Sequence, residues 1–168
     1  GGGRGCPGGR GGGGGENGRT GRGGAGGGYY GEVVSTLAVA CGREAGYRRM
    51  HEVAIGVYDE VTSRIRPGAR SAAVLDASEA IHEASFTICD DLLHFAVGGV
   101  YGPALRTRQT SAGPDPDFAF EEGMVIVVQP NVVTPDLRSG VQVGEMLVVT
   151  ADGVKSLHQV PREILRCA

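Results

Sequence analysis

The chain opens with a glycine tract, residues Gly1 to Gly28, which holds most of its 31 glycines and almost no apolar side chain. Such a segment loses much backbone freedom on ordering and has little apolar surface to bury in return. The core must therefore come from Tyr29 onward, a length sufficient for one modest domain. Residues 1–28 are expected to be a disordered Gly/Arg-rich tail and residues 29–168 the folded domain. Arg4, Arg10, Arg19 and Arg22 stand against a single Glu16 in the tail. A tail touching RNA weakly through charge, a merely flexible tail, and a mistranslated GC-rich 5′ region all fit that composition.

The whole chain has a net charge of −3, which argues against specific nucleic-acid binding or an anionic membrane surface. A small molecule or short peptide is the expected partner, with a homodimer compatible with the sequence. The apolar run from Met124 to Val128 is far short of the ~20 residues a membrane-spanning helix needs. Cys6, Cys41, Cys89 and Cys167 lie far apart with no C-x-x-C pair, so they read as free thiols in a reducing compartment, with the cytoplasm as the expected location.

Local patterns predict the elements. Tyr29 to Ala40 is β-branched and aromatic without helical period, which predicts a strand. Ala45, Met50, Val53, Ala54, Val57, Tyr58, Val61 and Ile65 recur at spacings of mostly three and four, which predicts an amphipathic helix ended by Pro67-Gly68. Ser71 is placed to cap a second helix with the apolar face Val74, Leu75, Ala77, Ile81 and Ala84. Phe86 to Ile88, Leu92 to Val97, Met124 to Val128, Val141 to Thr150 and Val154 to His158 are strand candidates, the last two joined by the hairpin signal Ala151-Asp152-Gly153. Residues 106–117 form a long loop, either functional or disordered. The fold class is therefore α+β, a mostly antiparallel sheet with helices on one face.

Four stretches in this order resemble the C-terminal half of the pita-bread superfamily of methionine aminopeptidases, Xaa-Pro aminopeptidases and creatinase. They are Tyr30-Gly31-Glu32-Val33-Val34-Ser35-Thr36-Leu37, Ile65-Arg66-Pro67-Gly68, the run from Phe120 through Gly123-Met124-Val125 to Gln129-Pro130, and the run from Gly140 to Gly153. Xaa-Pro aminopeptidase-like members are the most similar. The resemblance implies a curved sheet, incomplete on its N-terminal side, around a site where two aspartates, a histidine and two glutamates hold two divalent metals. The metals would lower the pKa of a bridging water until hydroxide forms near neutrality.

Carried over position by position, that ligand set is depleted. The second aspartate falls on Glu32, a carboxylate one methylene longer, and the first on Gly21, which has no side chain. The histidine falls on His94, or on Phe95 if no residue is inserted before Gly98. The glutamates fall on Gln129 and Gly144. Glu145 is adjacent to Gly144, but alternation along a strand turns it to the opposite face, whereas Gln142 shares the face of Gly144. Tyr101 stands near the position of a substrate-binding histidine. One carboxylate, one imidazole and two amides carry too little charge for two dications, so the expected cofactor is none, or a weakly bound Mn, Co or Zn ion. Two functions remain open. One is a non-peptidase or pseudoenzyme pocket lined by Gln129, Gln142, His94 and Tyr101. The other is an atypical metal-dependent Xaa-Pro aminopeptidase using Glu32 and His94 as catalytic and metal residues. A metal-free hydrolase, as in creatinase, is compatible with the same resemblance, as is a tract that replaces the native first aspartate strand.

Overall fold

The computed structural model describes residues 17–26, 29–39, 44–95 and 104–167. The elements in chain order are β1 (Asn17–Gly26), β2 (Tyr29–Val39), α1 (Glu44–Arg64), α2 (Ser71–Ser78), α3 (Ala80–Glu83), β3 (Leu93–Phe95), β4 (Val125–Val128), β5 (Asn131–Val133), β6 (Gly140–Gln142), β7 (Gly144–Thr150), β8 (Gly153–Ser156) and β9 (Leu165–Cys167). The large sheet runs β1-β2-β7-β4-β3, with β8 also on β7 and β9 also on β2, while β5 and β6 form a separate pair. Every ladder is antiparallel except β2–β9. The α+β class read from the sequence is the class observed.

Helix α1 presents Met50, Ala54, Val57, Tyr58, Val61 and Ile65 to the interior, one stripe at helical spacing, and packs across β4, β5, β6 and β8. Ala45 lies exposed and Val53 only half-buried at its margin. The helix stops where Arg66-Pro67-Gly68 turns the chain. Gly68 takes φ 85°, and the Ala69 amide donates to the Arg66 carbonyl at 3.0 Å, so proline sits at the second and glycine at the third position of a tight turn. The second helix differs from expectation. It breaks at Glu79 into α2 and α3, and Ser71 is its first helical residue rather than its cap. The Ser71 hydroxyl instead donates to the Pro116 carbonyl at 2.7 Å and accepts from the Phe118 amide, tying the helix to the loop before β4. Val74, Leu75, Ala77 and Ile81 are buried as predicted.

The loop over residues 106–117 is held down by side chains. Arg108 pairs with Asp76 at 2.6 Å and with Asp115 at 3.2 Å, Gln109 donates to Glu79 at 3.0 Å, and His82 Nε2 lies 2.6 Å from the Thr107 hydroxyl. It is therefore a strap over α2 and α3.

Two expectations need correction. Part of the glycine tract, residues 17–26, enters the sheet as β1, paired with β2 over its full length. Glycine carries no strand signal in its side chain, but its backbone can complete the ladder that β2 offers. Residues 1–16 lie outside the described residues. Cys89 is disulfide-bonded, so the expectation of four free thiols fails at that residue. The absence of a C-x-x-C pair spoke only to metal and redox motifs, not to cysteines brought together by the fold. A disulfide is uncommon in reducing compartments, which removes the chief support for a cytoplasmic location. Among the described residues, no helix is long and apolar enough to cross a membrane.

Candidate functional site

Strand alternation divides the sheet into two faces. On β3, β4 and β7, the residues Leu93, Phe95, Ile126, Val128, Leu147 and Val149 pack in or against the core under the helices. The intervening residues point the other way, and Val125, Val127 and Met146 form a small apolar cluster of their own there. His94 and Gly144 occupy the alternating positions of that second face, and Gln129 continues the series Val125, Val127 beyond the end of β4. The helix-free face of the sheet is thus where the polar residues of interest gather.

Three side chains chosen from the sequence meet there. The Gln142 side-chain amide donates to Gln129 Oε1 at 3.2 Å, and Gln129 Nε2 lies 3.2 Å from His94 Nδ1. All three are buried, at 3 %, 4 % and 8 % exposure respectively, so they are largely withdrawn from water, where hydrogen bonds left unmade are costly. Gln142 ends β6, and β7 begins at Gly144, with the Val143 amide donating to the Pro130 carbonyl at 3.2 Å between them. The two halves of the predicted single strand therefore serve different sheets.

Gly144 lies directly against Gln129. A Cβ built on Gly144 would stand 2.7 Å from Gln129 Cβ, 3.1 Å from its Cα and 3.3 Å from the Val128 carbonyl oxygen. The backbone of Gln129 and its first side-chain carbon fill the space into which any side chain at position 144 would have to grow.

Register places the remaining positions. Gly21 pairs with Val34, and Val34 pairs with Gly144, so positions 21, 34 and 144 stand in one row across β1, β2 and β7. Glu32 lies two residues before Val34 on β2 and pairs with Gly23; its side chain is outside the described set. Tyr101 lies outside the described residues.

Glu145 turns to the helix side, as alternation predicts, and is buried at 6 % exposure. Its Oε2 accepts from the Tyr58 hydroxyl at 3.1 Å and from the Ser156 hydroxyl at 2.7 Å, while its Oε1 lies 3.4 Å from Arg162 Nε. Arg162 also reaches Asp59 at 2.9 Å and sits 4.4 Å above the centroid of the Tyr58 ring. Burial, with the Glu145 charge beside it, pushes the Tyr58 phenol well above its ordinary pKa, so it remains a hydrogen-bond donor throughout the accessible range. This carboxylate is committed to the junction of α1, β7 and β8 and is not available to the opposite face. Sequence reasoning gave its direction but not its partners, which lie 87, 11 and 17 positions away along the chain.

Asp91, three residues before His94, was not singled out from the sequence. Burial, then the neighbouring Asp90 charge, raises its pKa, against the opposing charges of Arg106 and His94. The fold therefore favours the protonated form of Asp91 more than the unfolded chain does, even with Arg106 Nη1 3.6 Å from its Oδ1. Its stabilising contribution is complete below the ordinary carboxylate pKa of 3.8 and is lost as pH rises through the raised folded value. Asp91→Asn should accordingly raise the melting temperature at neutral pH, with the gain vanishing in acid below the carboxylate range. Thermal melts of both proteins across pH test this, and a variant that is less stable than the parent at neutral pH would refute it.

A divalent metal requires unprotonated nitrogens or carboxylate oxygens converging on one point. Among the described residues no group of three His, Cys, Asp or Glu side chains converges in that way. Of the positions at which the resemblance implies carboxylate ligands, Gly21 offers no side-chain donor, Gln129 offers an amide, and the side-chain space at Gly144 is filled. Positions 21, 129 and 144 thus supply none of the carboxylates that a two-metal centre would draw from them.

Comparison with known proteins adds to this geometry. The model of metallopeptidase family M24 matches residues 22–151. A search of curated proteins finds no match. Among solved structures, prolidase from Pyrococcus furiosus superposes with a TM-score of 0.72 at 21% identity, covering 88% of this chain and 42% of that one. The X-Pro aminopeptidase from Thermotoga maritima gives 0.71 at 19% identity, covering 88% and 40%. The methionine aminopeptidase from Thermotoga maritima gives 0.68 at 20% identity, covering 83% and 62%. The fold is the pita-bread fold, and the chain spans about two-fifths of the length of the prolidase and of the X-Pro aminopeptidase.

Proposed function

Because the chain belongs to metallopeptidase family M24, whose model covers residues 22–151, we propose that it is a non-peptidase member of that family, a pseudoenzyme that keeps the fold and has exchanged the metal centre for a hydrogen-bonding pocket. The observation that carries this reading is the contact between Gly144 and Gln129. At one position expected to supply a carboxylate there is no side chain, and the space for one is filled by the residue at another. In place of charge, the face offers the linked side chains of Gln142, Gln129 and His94.

Neutral amides compensate little of the hydration a dication loses on binding, so metal affinity at this face should be weak. Amides and an imidazole are suited to the polar groups of a small molecule or short peptide. In the remaining M24-type reading, Glu32 and His94 hold a single Mn, Co or Zn ion in an atypical hydrolase. Its support is that β2, which carries Glu32, runs directly beside Gly144.

Metal analysis after dialysis against manganese, cobalt or zinc, together with an assay for release of the N-terminal residue from an Xaa-Pro peptide, separates the two. The expected result is substoichiometric metal and no chelator-sensitive release. Gln129→Glu alone should restore neither, because positions 21 and 144 still lack carboxylates. Stoichiometric metal with chelator-sensitive turnover in the unmodified protein would overturn the proposal in favour of the hydrolase.

A further inference from the structure

We propose that the cleft between the end of α1 and the start of α2 binds the phosphate group of a small phosphate ester through Arg64, Arg66 and Arg70. The site stands apart from the polar face of the sheet, and neither its argument nor its test depends on the metal-free reading.

The turn through Arg66-Pro67-Gly68 leaves an open cleft of about 660 Å³ between the two helices, within the roughly 300–1,000 Å³ of small-molecule sites. Its lining carries three guanidinium groups and the Ser63 hydroxyl, with no carboxylate and no large apolar side chain. The chain as a whole has a net charge of −3, so this is a local concentration of the opposite sign. Held in a concavity, charges of one sign focus their field on ions of the other.

The walls are built before any ligand arrives. The Gly68 amide donates to the Phe120 carbonyl at 2.8 Å and the Ala69 amide to the Arg66 carbonyl at 3.0 Å, which pins the turn. Arg64 reaches from α1 to α2, with Nε and Nη2 on Glu60 Oε1 at 2.9 and 2.6 Å and Nη1 donating to the Ala73 carbonyl at 3.2 Å. A guanidinium has more N–H groups than these bonds use, so Arg64 keeps donors to offer. Arg70 pairs with Asp117 where both are exposed, and an exposed pair contributes little, so Arg70 can turn to a dianion at small cost. Arg66 forms no ion pair among the described residues. Its guanidinium is the group a ligand would engage first.

A phosphate monoester suits this set better than a carboxylate does. It spreads about two negative charges at neutral pH over its terminal oxygens, so several guanidinium forks can engage it together. The room beyond the phosphate is where the organic part of the ester would lie.

The test follows the arginine Nε–Hε NMR signals of the full chain, assigned by their loss in single variants. Inorganic phosphate, glycerol 3-phosphate and glycerol are titrated separately, at an ionic strength held constant with sodium chloride. The expected result is saturable movement of the Arg64, Arg66 and Arg70 signals with both phosphates and none with glycerol. Arg138, an exposed arginine beside Asp136 in the β5–β6 loop, should not respond. Arg66→Gln should weaken both phosphates by about tenfold, the loss expected of charge-assisted hydrogen bonds. Its ligand-free melting temperature should stay unchanged, because Arg66 is exposed. Shifts that never saturate and appear equally at Arg138 would reduce the effect to general ion pairing and overturn the proposal. Undiminished binding in Arg66→Gln would do the same, as would a cleft that takes inorganic phosphate and excludes glycerol 3-phosphate. Saturation and ester binding are read in the unmodified protein, so a variant that fails to fold leaves the test intact.

Discussion

Gly144→Ala is expected to lower the stability of the protein by about 1–3 kcal/mol, the usual cost of forcing extra volume into a packed site. The added carbon would stand 2.7 Å from Gln129 Cβ and 3.1 Å from Gln129 Cα. Because a backbone atom is involved, rotating the Gln129 side chain does not relieve the clash, and the chain beyond β4 must shift. Gly56→Ala supplies the control. Gly56 is exposed in the middle of α1 and has nothing within 4 Å of its built Cβ. There the same substitution should stabilise the protein by about 0.5–1 kcal/mol by removing the freedom of glycine from the unfolded chain. Denaturant melts of both variants would show opposite shifts in midpoint. A Gly144→Ala protein as stable as its parent would mean that Gln129 is not where the structure places it.

Glu145→Ala should cost about 2–3 kcal/mol, combining the loss of a buried, paired carboxylate with an unsatisfied buried hydroxyl, and discounted because Arg162 is partly exposed. Removing the carboxylate strands the Tyr58 hydroxyl, leaves Ser156 with the His158 backbone and leaves Arg162 with Asp59 as its anion among the described residues. The melting temperature should fall by roughly 2–4 °C for each kcal/mol in a chain of this size. Glu145→Gln should recover part of the loss, since its carbonyl can still accept from Tyr58 and Ser156. If Glu145→Ala left stability unchanged while abolishing ligand binding, Glu145 would belong to the functional face and the assignment of faces would be wrong.

Features that depend on spacing along one element were legible in the sequence. The stripe of α1 follows from 3.6-residue periodicity, and the opposite directions of Gly144 and Glu145 from alternation on β7. The hairpin between β7 and β8 follows from Ala151-Asp152-Gly153. Features created by long-range pairing were not legible. β5 follows directly after Pro130, which weakens its strand pattern, and becomes a strand because β6 returns to meet it. β1 has no side-chain pattern at all and exists through its ladder with β2. The break of the second helix at Glu79 likewise carries no glycine or proline to announce it. At the site, Gln129, Gln142 and His94 were found individually. Their order of donation and the filled space over Gly144 depend on how β3, the end of β4 and β6 converge, and no local pattern encodes that.

The partition of β7 also bears on how such a protein can change over time. Leu147 and Val149 pack into the helix-covered core, while Gly144 and Met146 lie on the opposite surface of the same strand. Substitutions on the two surfaces have few shared neighbours, and sites without shared partners combine nearly additively. A lineage can thus rewrite the chemistry of one surface in small steps while the other continues to hold the domain together. A coupling that resists such drift is the contact of Gly144 with Gln129, where any side chain at position 144 requires position 129 to give way first. If the chain has exchanged its metal centre as proposed, that contact makes the exchange a ratchet, since reversal needs changes at both positions.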